Sequence, residues 1–307
     1  MRRDIVVLGS LNVDFVVRTD ERPGPGETVT GKEFNIYPGG KGANQAVAAS
    51  RAGGKVAMAG RIGDDVFSGI LTKSLLDAGV RGDLVRVVPG VPTGSAVITI
   101  DGKGENSIVV VPGANATVSS EDVDALVPVL RNARVLMLQL EIPMEQVLCA
   151  AARARELGAA VMLDPAPPAK LPEDLLRCVD IITPNEHEAE FLTGREISDI
   201  KAARLAASDL VAMGPRCAVV KLGSRGVVFA TDNAVDHIPG HAVNVVDSTA
   251  AGDAFSGALA VAIAEGKSIG EACRFANAAA ALSVTKPGAQ TSMPWREEID
   301  RFLVFQG

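Results

Sequence analysis

The chain is short of several features that mark large protein classes. It has four cysteines, three histidines and one tryptophan in 307 residues, and aromatics make up only 4%. Cys149, Cys178, Cys217 and Cys273 lie far apart and form no Cys-x-x-Cys pair. They read as small apolar residues of a reducing compartment rather than as a disulfide framework. Positive charge is scarce too: 30 Lys and Arg stand against 37 Asp and Glu, for a net charge of −7. That balance speaks against broad binding of nucleic acid or of an anionic membrane, while leaving room for a local basic pocket. No apolar run approaches the ~18 residues of a membrane span. The opening MRRDIVVLGSLNVD is broken by Asp4, Asn12 and Asp14, and no cleavage-like site follows closely, so a signal peptide is not indicated and a cytoplasmic location is expected.

Common motifs are missing as well. Gly266-Lys267-Ser268 is the one Gly-Lys-Ser/Thr, but a phosphate-binding P-loop needs Gly where Val261 stands. Gly9 follows the first strand alone, so the dinucleotide fingerprint is absent, and no Gly-x-Ser-x-Gly occurs. His237 and His241 are separated by Pro239 and Gly240, which deny the helix that a zinc pair needs. His187 reads as a surface residue at a helix start.

What is present is an alternation. Hydrophobic residues are 47% and charged residues 22%, normal for a globular protein, and the length suits one large domain or two ordinary ones. DIVVLG, KVAMAGRIG, RVLMLQLE, AAVMLDPAP, VDIITPNE and CAVVKLG are short apolar runs. Helical stretches such as FSGILTKSLLDAG, MEQVLCAAARARELG and KAARLAASDLVAMG lie between them and end near Gly. Such a pattern predicts a mostly parallel sheet covered on both faces. FVVRT and KEFNIY flank the turn-rich ERPGPGE, and GSAVITI and ENSIVVV flank DGKGE. These predict a small antiparallel sheet over roughly 14–40 and 93–113, beside one α/β domain spanning 1–307. No repeat, low-complexity segment or linker divides the chain.

In such sheets ligands bind beyond the carboxyl ends of the strands. YPGGKGANQAVAASRAGG offers bare backbone before a small-residue helix, suited to an anion or a sugar oxygen, although an ordinary Gly-rich loop reads the same way. In NEHEAEFLTG, Asn185 and Glu188 fit a capping box, or a magnesium ion held through water. In TAAGDAFSGAL, Asp253 follows Ala250, Ala251 and Gly252. It reads either as a favourable charge at a helix N-terminus or as a base beside an anion hole. The second arrangement suits phosphoryl transfer: the carboxylate takes a hydroxyl proton while N–H groups hold the phosphoryl.

Taken together, GGKGANQA in the first quarter and DSTAAGDAFSGAL in the last, with NEHEAE and KLGSRG between them, resemble the ribokinase family of sugar kinases, the PfkB carbohydrate kinases. The likeness runs from IVVLGSLNVD to PWREEI, nearly the whole chain. It implies a three-layer α/β/α fold with a β lid over the sugar, and ATP-dependent phosphorylation of O5 of D-ribose. It also implies a homodimer through the lids, in line with the apolar lid strands FVV and AVITI, whose faces and edges need cover.

By the same resemblance, Asn12, Asp14, Gly40, Lys41, Gly42, Ala43, Asn44 and Glu141 contact the sugar. Asp253 is the catalytic base, with Ala250, Ala251 and Gly252 as the anion hole. Asn185 and Glu188 belong to the magnesium and phosphate motif. Lys221, Leu222, Gly223, Ser224, Arg225, Gly226, Gly252 and Asn277 bind the nucleotide. Potassium is implied at Asp247, Thr249, Ser283, Lys286, Gly288 and Ser292, mostly through backbone carbonyls. Lys221 departs from the pattern, standing where threonine is frequent; it either touches a phosphate or points to solvent. Asn277, Ala254 and Ser256 also differ from common choices. The alternatives are a kinase for 2-deoxyribose, another neutral sugar or a nucleoside, and a non-catalytic sugar-binding regulator.

Overall fold

Ile5, Val6, Val7 and Leu8 are all fully buried. Four consecutive buried residues on a period-2 strand require cover on both faces. The computed structural model describes residues 4–306; residues 1–3, with Arg2 and Arg3 of the opening run, and residue 307 lie outside it. The first part of the chain forms β1 (Asp4–Leu8), β2 (Asn12–Arg18), β3 (Glu33–Gly39), α1 (Lys41–Arg51), β4 (Lys55–Gly63), α2 (Ser68–Asp77), β5 (Arg81–Val88), β6 (Gly94–Ile100) and β7 (Asn106–Val111). Next come α3 (Ser120–Leu130), β8 (Ala133–Leu138), α4 (Met144–Glu156), β9 (Ala160–Leu163), α5 (Glu173–Cys178), β10 (Ile181–Ile182), α6 (Glu186–Thr193) and α7 (Ile200–Ala212). The last part forms β11 (Cys217–Lys221), β12 (Val227–Thr231), β13 (Ala234–Ile238), α8 (Ala251–Ala264), α9 (Ile269–Ser283) and α10 (Arg296–Gln306).

Nine strands make the main sheet in the order β13-β12-β11-β10-β9-β8-β1-β4-β5. From β5 to β11 all neighbours are parallel, while β12 is antiparallel to both β11 and β13. Side chains alternate between two cores. Ile5 and Val7 pack with α1, α2, α8, α9 and α10 on one face. Val6 and Leu8 pack with α3 to α7 on the other. This is the three-layer architecture that the alternation predicts. The edge strands β5 and β13, and β12 beside the latter, were not among the predicted runs.

The second sheet has the order β3-β2-β6-β7. Its strands fall in the two predicted hairpin regions, but it is mixed rather than antiparallel, because β2 and β6 pair in parallel. Each is the first strand of its own hairpin, so both leave the main body in the same direction and lie side by side. Among the described residues, no helix is long and apolar enough to cross a membrane. The four cysteines are free, two of them buried and two half-buried.

Small residues set one further feature. A Cβ on Gly257 of α8 would lie 2.6 Å from Ala48 Cβ and 2.7 Å from Ala49 N. Thus α1 and α8 touch backbone to backbone, and their N-termini meet at one edge of the sheet.

Candidate active site

The polar residues gather where the parallel strands end. Ser10 and Asn12 follow β1, Gln139 and Glu141 follow β8, Asp164 follows β9, Asn185 follows β10, and Lys221 closes β11. The N-termini of α1 and α8 point at the same edge.

Helix α8 begins without a side-chain cap. Its N-cap residue, Ala250, holds a left-handed φ of 58°, the only non-glycine to do so among the described residues. The Ala251 amide bonds Ser248 O at 3.3 Å, whereas the amides of Gly252 and Asp253 find no acceptor among the described residues. Two free N–H groups therefore stand at the helix start, where the macrodipole also favours an anion.

Beside them, the Asp253 carboxylate is buried, with the residue only 5% exposed. Its Oδ2 accepts from Asn44 Nδ2 at 3.0 Å and its Oδ1 from Gln45 Nε2 at 3.1 Å. Both donors come from the first turn of α1, and the close contact of α1 with α8 brings them within reach. Asn44 Oδ1 accepts from Gln290 Nε2 at 3.1 Å, so the side chain is held at both ends. Burial raises the Asp253 carboxyl above the usual range; Lys41 opposes this, Asp164 reinforces it, and the rise prevails. For Lys41, burial alone would lower the ammonium. Asp253, Asp164, Glu141 and Glu188 outweigh it and hold the lysine above its ordinary value. Lys41 is thus one of the cations that balance the acidic cluster, with Lys221 the other.

The sequence suggests that the Gly-rich YPGGKGANQ loop presents bare backbone N–H donors at the start of α1. The structure corrects this. The Lys41 amide donates to Glu141 Oε2 at 3.1 Å, Gly42 to Ser10 Oγ at 3.3 Å, and Ala43 to Ser10 O at 2.9 Å. Glu141, in the sequence a sugar contact, is also the acid at the start of α1. Gly40 is required there, with φ at 88° and room for no Cβ, which would lie 2.7 Å from Asn12 N. Asn12 Oδ1 accepts from Asn115 Nδ2 at 2.7 Å, and Asn115 Oδ1 accepts from the Leu11 amide at 2.9 Å. A cavity of about 410 Å³ has Asn12, Asn115 and Glu141 on its wall, with Val110 of the lid opposite. Asp14 sits beside it on β2, in the lid row that holds Ala96 and Val110. Burial, with Glu141 and Asp253 nearby, pushes its carboxyl up to about 7.

A larger cavity of about 500 Å³ opens at the start of α8. Lys221, Gly223, Ser224, Gly226, Gly252 and Asn277 line it as the sequence suggested, together with apolar Val243, Val245, Phe255, Ala280 and Val284. Two predicted contacts are not on its wall. Leu222 is core, 2% exposed, and Arg225 turns away to pair with Glu186 and Ser198 O. Asn277 Nδ2 is already engaged by Pro239 O at 2.7 Å.

For a divalent ion, no group of three or more His, Cys, Asp or Glu side chains converges among the described residues. Asn185 engages both Glu188 oxygens, at 2.8 and 2.9 Å, in a capping box. Burial and Asp164 raise the Glu188 carboxyl, while Lys221 opposes them. A buried carboxylate so engaged fits magnesium held through water and phosphate rather than directly. For a monovalent ion, the Asp247 loop does meet the loop after α9. Asp247 N donates to Val284 O at 3.2 Å, and Gly288 N donates to Asp247 Oδ2 at 2.9 Å. Thr249 N and Oγ1 donate to Asp247 Oδ1 at 2.9 and 2.6 Å. The hydroxyls of Ser283 and Ser292 bond their own turns at 2.8 Å, and Lys286 reaches out to Glu298 at 2.7 Å. Backbone carbonyls are therefore the donors that remain, and they suit such an ion.

Gln45, Gln139, Asp164, Asn115 and Gln290 were not singled out in the sequence. Gln45 and Gln139 lie inside recognised motifs, but nothing in the sequence marks Asp164 or Asn115 as site residues.

The comparisons agree with this geometry. Residues 2–296 match the model of the pfkB family carbohydrate kinases. The ribokinase of Haemophilus influenzae is 43% identical over 303 residues, covering 99% of each chain. The deoxyribokinase of Salmonella typhi is 36% identical over 301 residues, covering 98% of each. The structure of Arabidopsis thaliana ribokinase complexed with ribose and ATP superposes with a TM-score of 0.90 at 36% identity, covering 99% of each chain. With the family matched over nearly the whole chain, the chain belongs to the pfkB family of carbohydrate kinases and is an ATP-dependent sugar kinase.

Proposed function

We propose that the protein transfers the terminal phosphoryl group of ATP to O5 of D-ribose, with Asp253 as the base. The observation that carries this reading is the position of Asp253. It is buried and held by Asn44 and Gln45 beside two free amides, next to Gly252 on the wall of the nucleotide-sized cavity. The O5 proton passes to the Asp253 carboxylate as the O5–P bond forms. The bond from phosphorus to the bridging oxygen breaks, its electron pair leaves with ADP, and Asp253 later releases its proton to solvent. The raised carboxyl is a better base than an exposed one. The Gly252 and Asp253 amides receive the charge of the transferring phosphoryl. Asn12, Asp14 and Glu141 orient the ring, and the lid keeps water from competing as acceptor.

Glu188 and Asn185 would hold magnesium through water, and the ion would neutralise phosphate charge. Carbonyls near Asp247, Thr249, Ser283, Lys286, Gly288 and Ser292 would hold potassium, which would support the loop before α8. We also assign a homodimer through the lid sheets.

ADP release measured with ribose, deoxyribose, fructose and adenosine tests the whole reading, with potassium exchanged for sodium in a parallel series. Ribose should give the highest kcat/KM, and sodium should lower turnover. Asp253→Asn should lower kcat by ~10²–10⁴ while ribose and ATP binding stay measurable by calorimetry. Near wild-type turnover in that variant would remove Asp253 from its role. The likeness to a deoxyribokinase favours 2-deoxyribose as the second reading. With Asp14 on the O2/O3 side of the ring, Asp14→Ala should raise KM for ribose far more than for deoxyribose; equal effects would count against that placement.

A further inference from the structure

Lys221 reaches inward from the end of β11. Its side chain is 12% exposed, and its ammonium meets Oδ1 of Asp164, whose side chain is 2% exposed, at 3.0 Å. A buried ion pair costs desolvation on both sides, and stability alone gives little reason to keep one. This pair is tied to the reacting groups in two directions. Asp164 Oδ2 accepts from Gln45 Nε2 at 2.8 Å, and the same nitrogen donates to Asp253 Oδ1 at 3.1 Å. Gln45 Oε1 is fixed in turn by Gln139 Nε2 at 2.7 Å. One amide group thus joins the base to the partner of the lysine. In the other direction, a Cβ on Gly252 would lie 3.4 Å from Lys221 Nζ, so the ammonium stands beside the free amides of α8. An ammonium has three N–H donors. Asp164 takes one, no other acceptor among the described residues takes the rest, and Lys221 lines the nucleotide cavity.

We propose that Lys221 and Asp164 work as one device: the lysine ammonium binds the terminal phosphoryl oxygens of ATP beside Gly252, and Asp164, through Gln45, positions both that ammonium and the Asp253 carboxylate. The inference rests on the kinase reading above. Lys221 touches the nucleotide; Asp164 and Gln45 are positioning residues. The nearby charge of Asp164 also helps to raise the Asp253 carboxyl.

The test compares Lys221→Met, Asp164→Asn and the neutral double variant Lys221→Thr/Asp164→Asn with the wild-type protein. Calorimetry reads ATP, ADP and D-ribose affinity, kcat is followed against pH, and Tm is recorded throughout. Lys221→Met should weaken ATP by about tenfold to a hundredfold, the worth of one charge-assisted contact. ADP should weaken less, and ribose should be unchanged. Asp164→Asn should move the acid limb of the kcat profile to lower pH, because the nearby charge that raises Asp253 is gone. It should also lower Tm, since it strands a buried ammonium. The double variant should recover Tm without recovering ATP affinity. Lower Tm in the single variants with wild-type ATP affinity and an unmoved acid limb would make the pair merely structural and overturn the proposal. If the single variants do not fold, the double variant decides alone: wild-type ATP affinity at wild-type Tm overturns it. A wild-type protein that releases ADP with no sugar overturns the kinase reading instead, so the two failures are distinct.

Discussion

Asp14 is the residue whose placement works against the free protein. In the fold its carboxyl stands near 7, against an ordinary value of 3.8. The folded state therefore holds this proton more tightly than the unfolded chain does. Its contribution to stability is full below about 4 and is lost as pH rises through 7. Asp14→Asn removes the titration. The variant should melt above the wild type at pH 8, and the gap should close towards pH 4. A gap of constant size would show that Asp14 titrates normally. Residues of this kind were only partly legible in the sequence. Asp14, Asn44 and Asp253 stand in recognisable strings. Asp164 does not, because a carboxylate after a strand is ordinary until the fold sets it against Lys221, and Gln45 gains its meaning only from Asp164 and Asp253 together.

Among the elements, the crossing of α1 and α8 matters most. Asn44 and Gln45 reach Asp253 only because Gly257 lets the two helices touch. Gly257→Ala would place a Cβ 2.6 Å from Ala48 Cβ and force the helices apart. Overpacking of this kind should cost about 1–3 kcal/mol, read as a lower denaturation midpoint. Turnover should fall further than ribose affinity as the donors to Asp253 withdraw. Unchanged kcat would mean that turnover does not depend on the crossing. The helices and the buried parallel strands were readable because their apolar runs are long or continuous. β5 was not, since Arg81, Asp83 and Arg86 interrupt it as an edge strand. The parallel pairing of β2 with β6 was not either, because pairing between hairpins leaves no local trace.

For the whole molecule, the lid poses the main physical question. Ile36, Phe15, Val97 and Val109 lie in register across its four strands. Ile36, Val97 and Val109 are 40%, 46% and 65% exposed. A continuous apolar row of this kind marks an interaction surface, and a second lid matches it in chemistry. Light scattering should give a dimer for the wild type and a monomer for Val109→Lys. A wild-type monomer would end the assignment.

The uncapped start of α8 bears on how such a protein can be improved. An Asn or Ser as N-cap would gain about 1 kcal/mol, and Gly at position 250 would relieve the left-handed backbone of Ala250. Each change would make a better helix, and a capping side chain would occupy one of the two amides that we assign to the phosphoryl group. Selection for thermal tolerance and selection for turnover therefore pull in opposite directions at this turn. Screens that reward stability alone should drift towards caps here and yield well-folded, idle proteins.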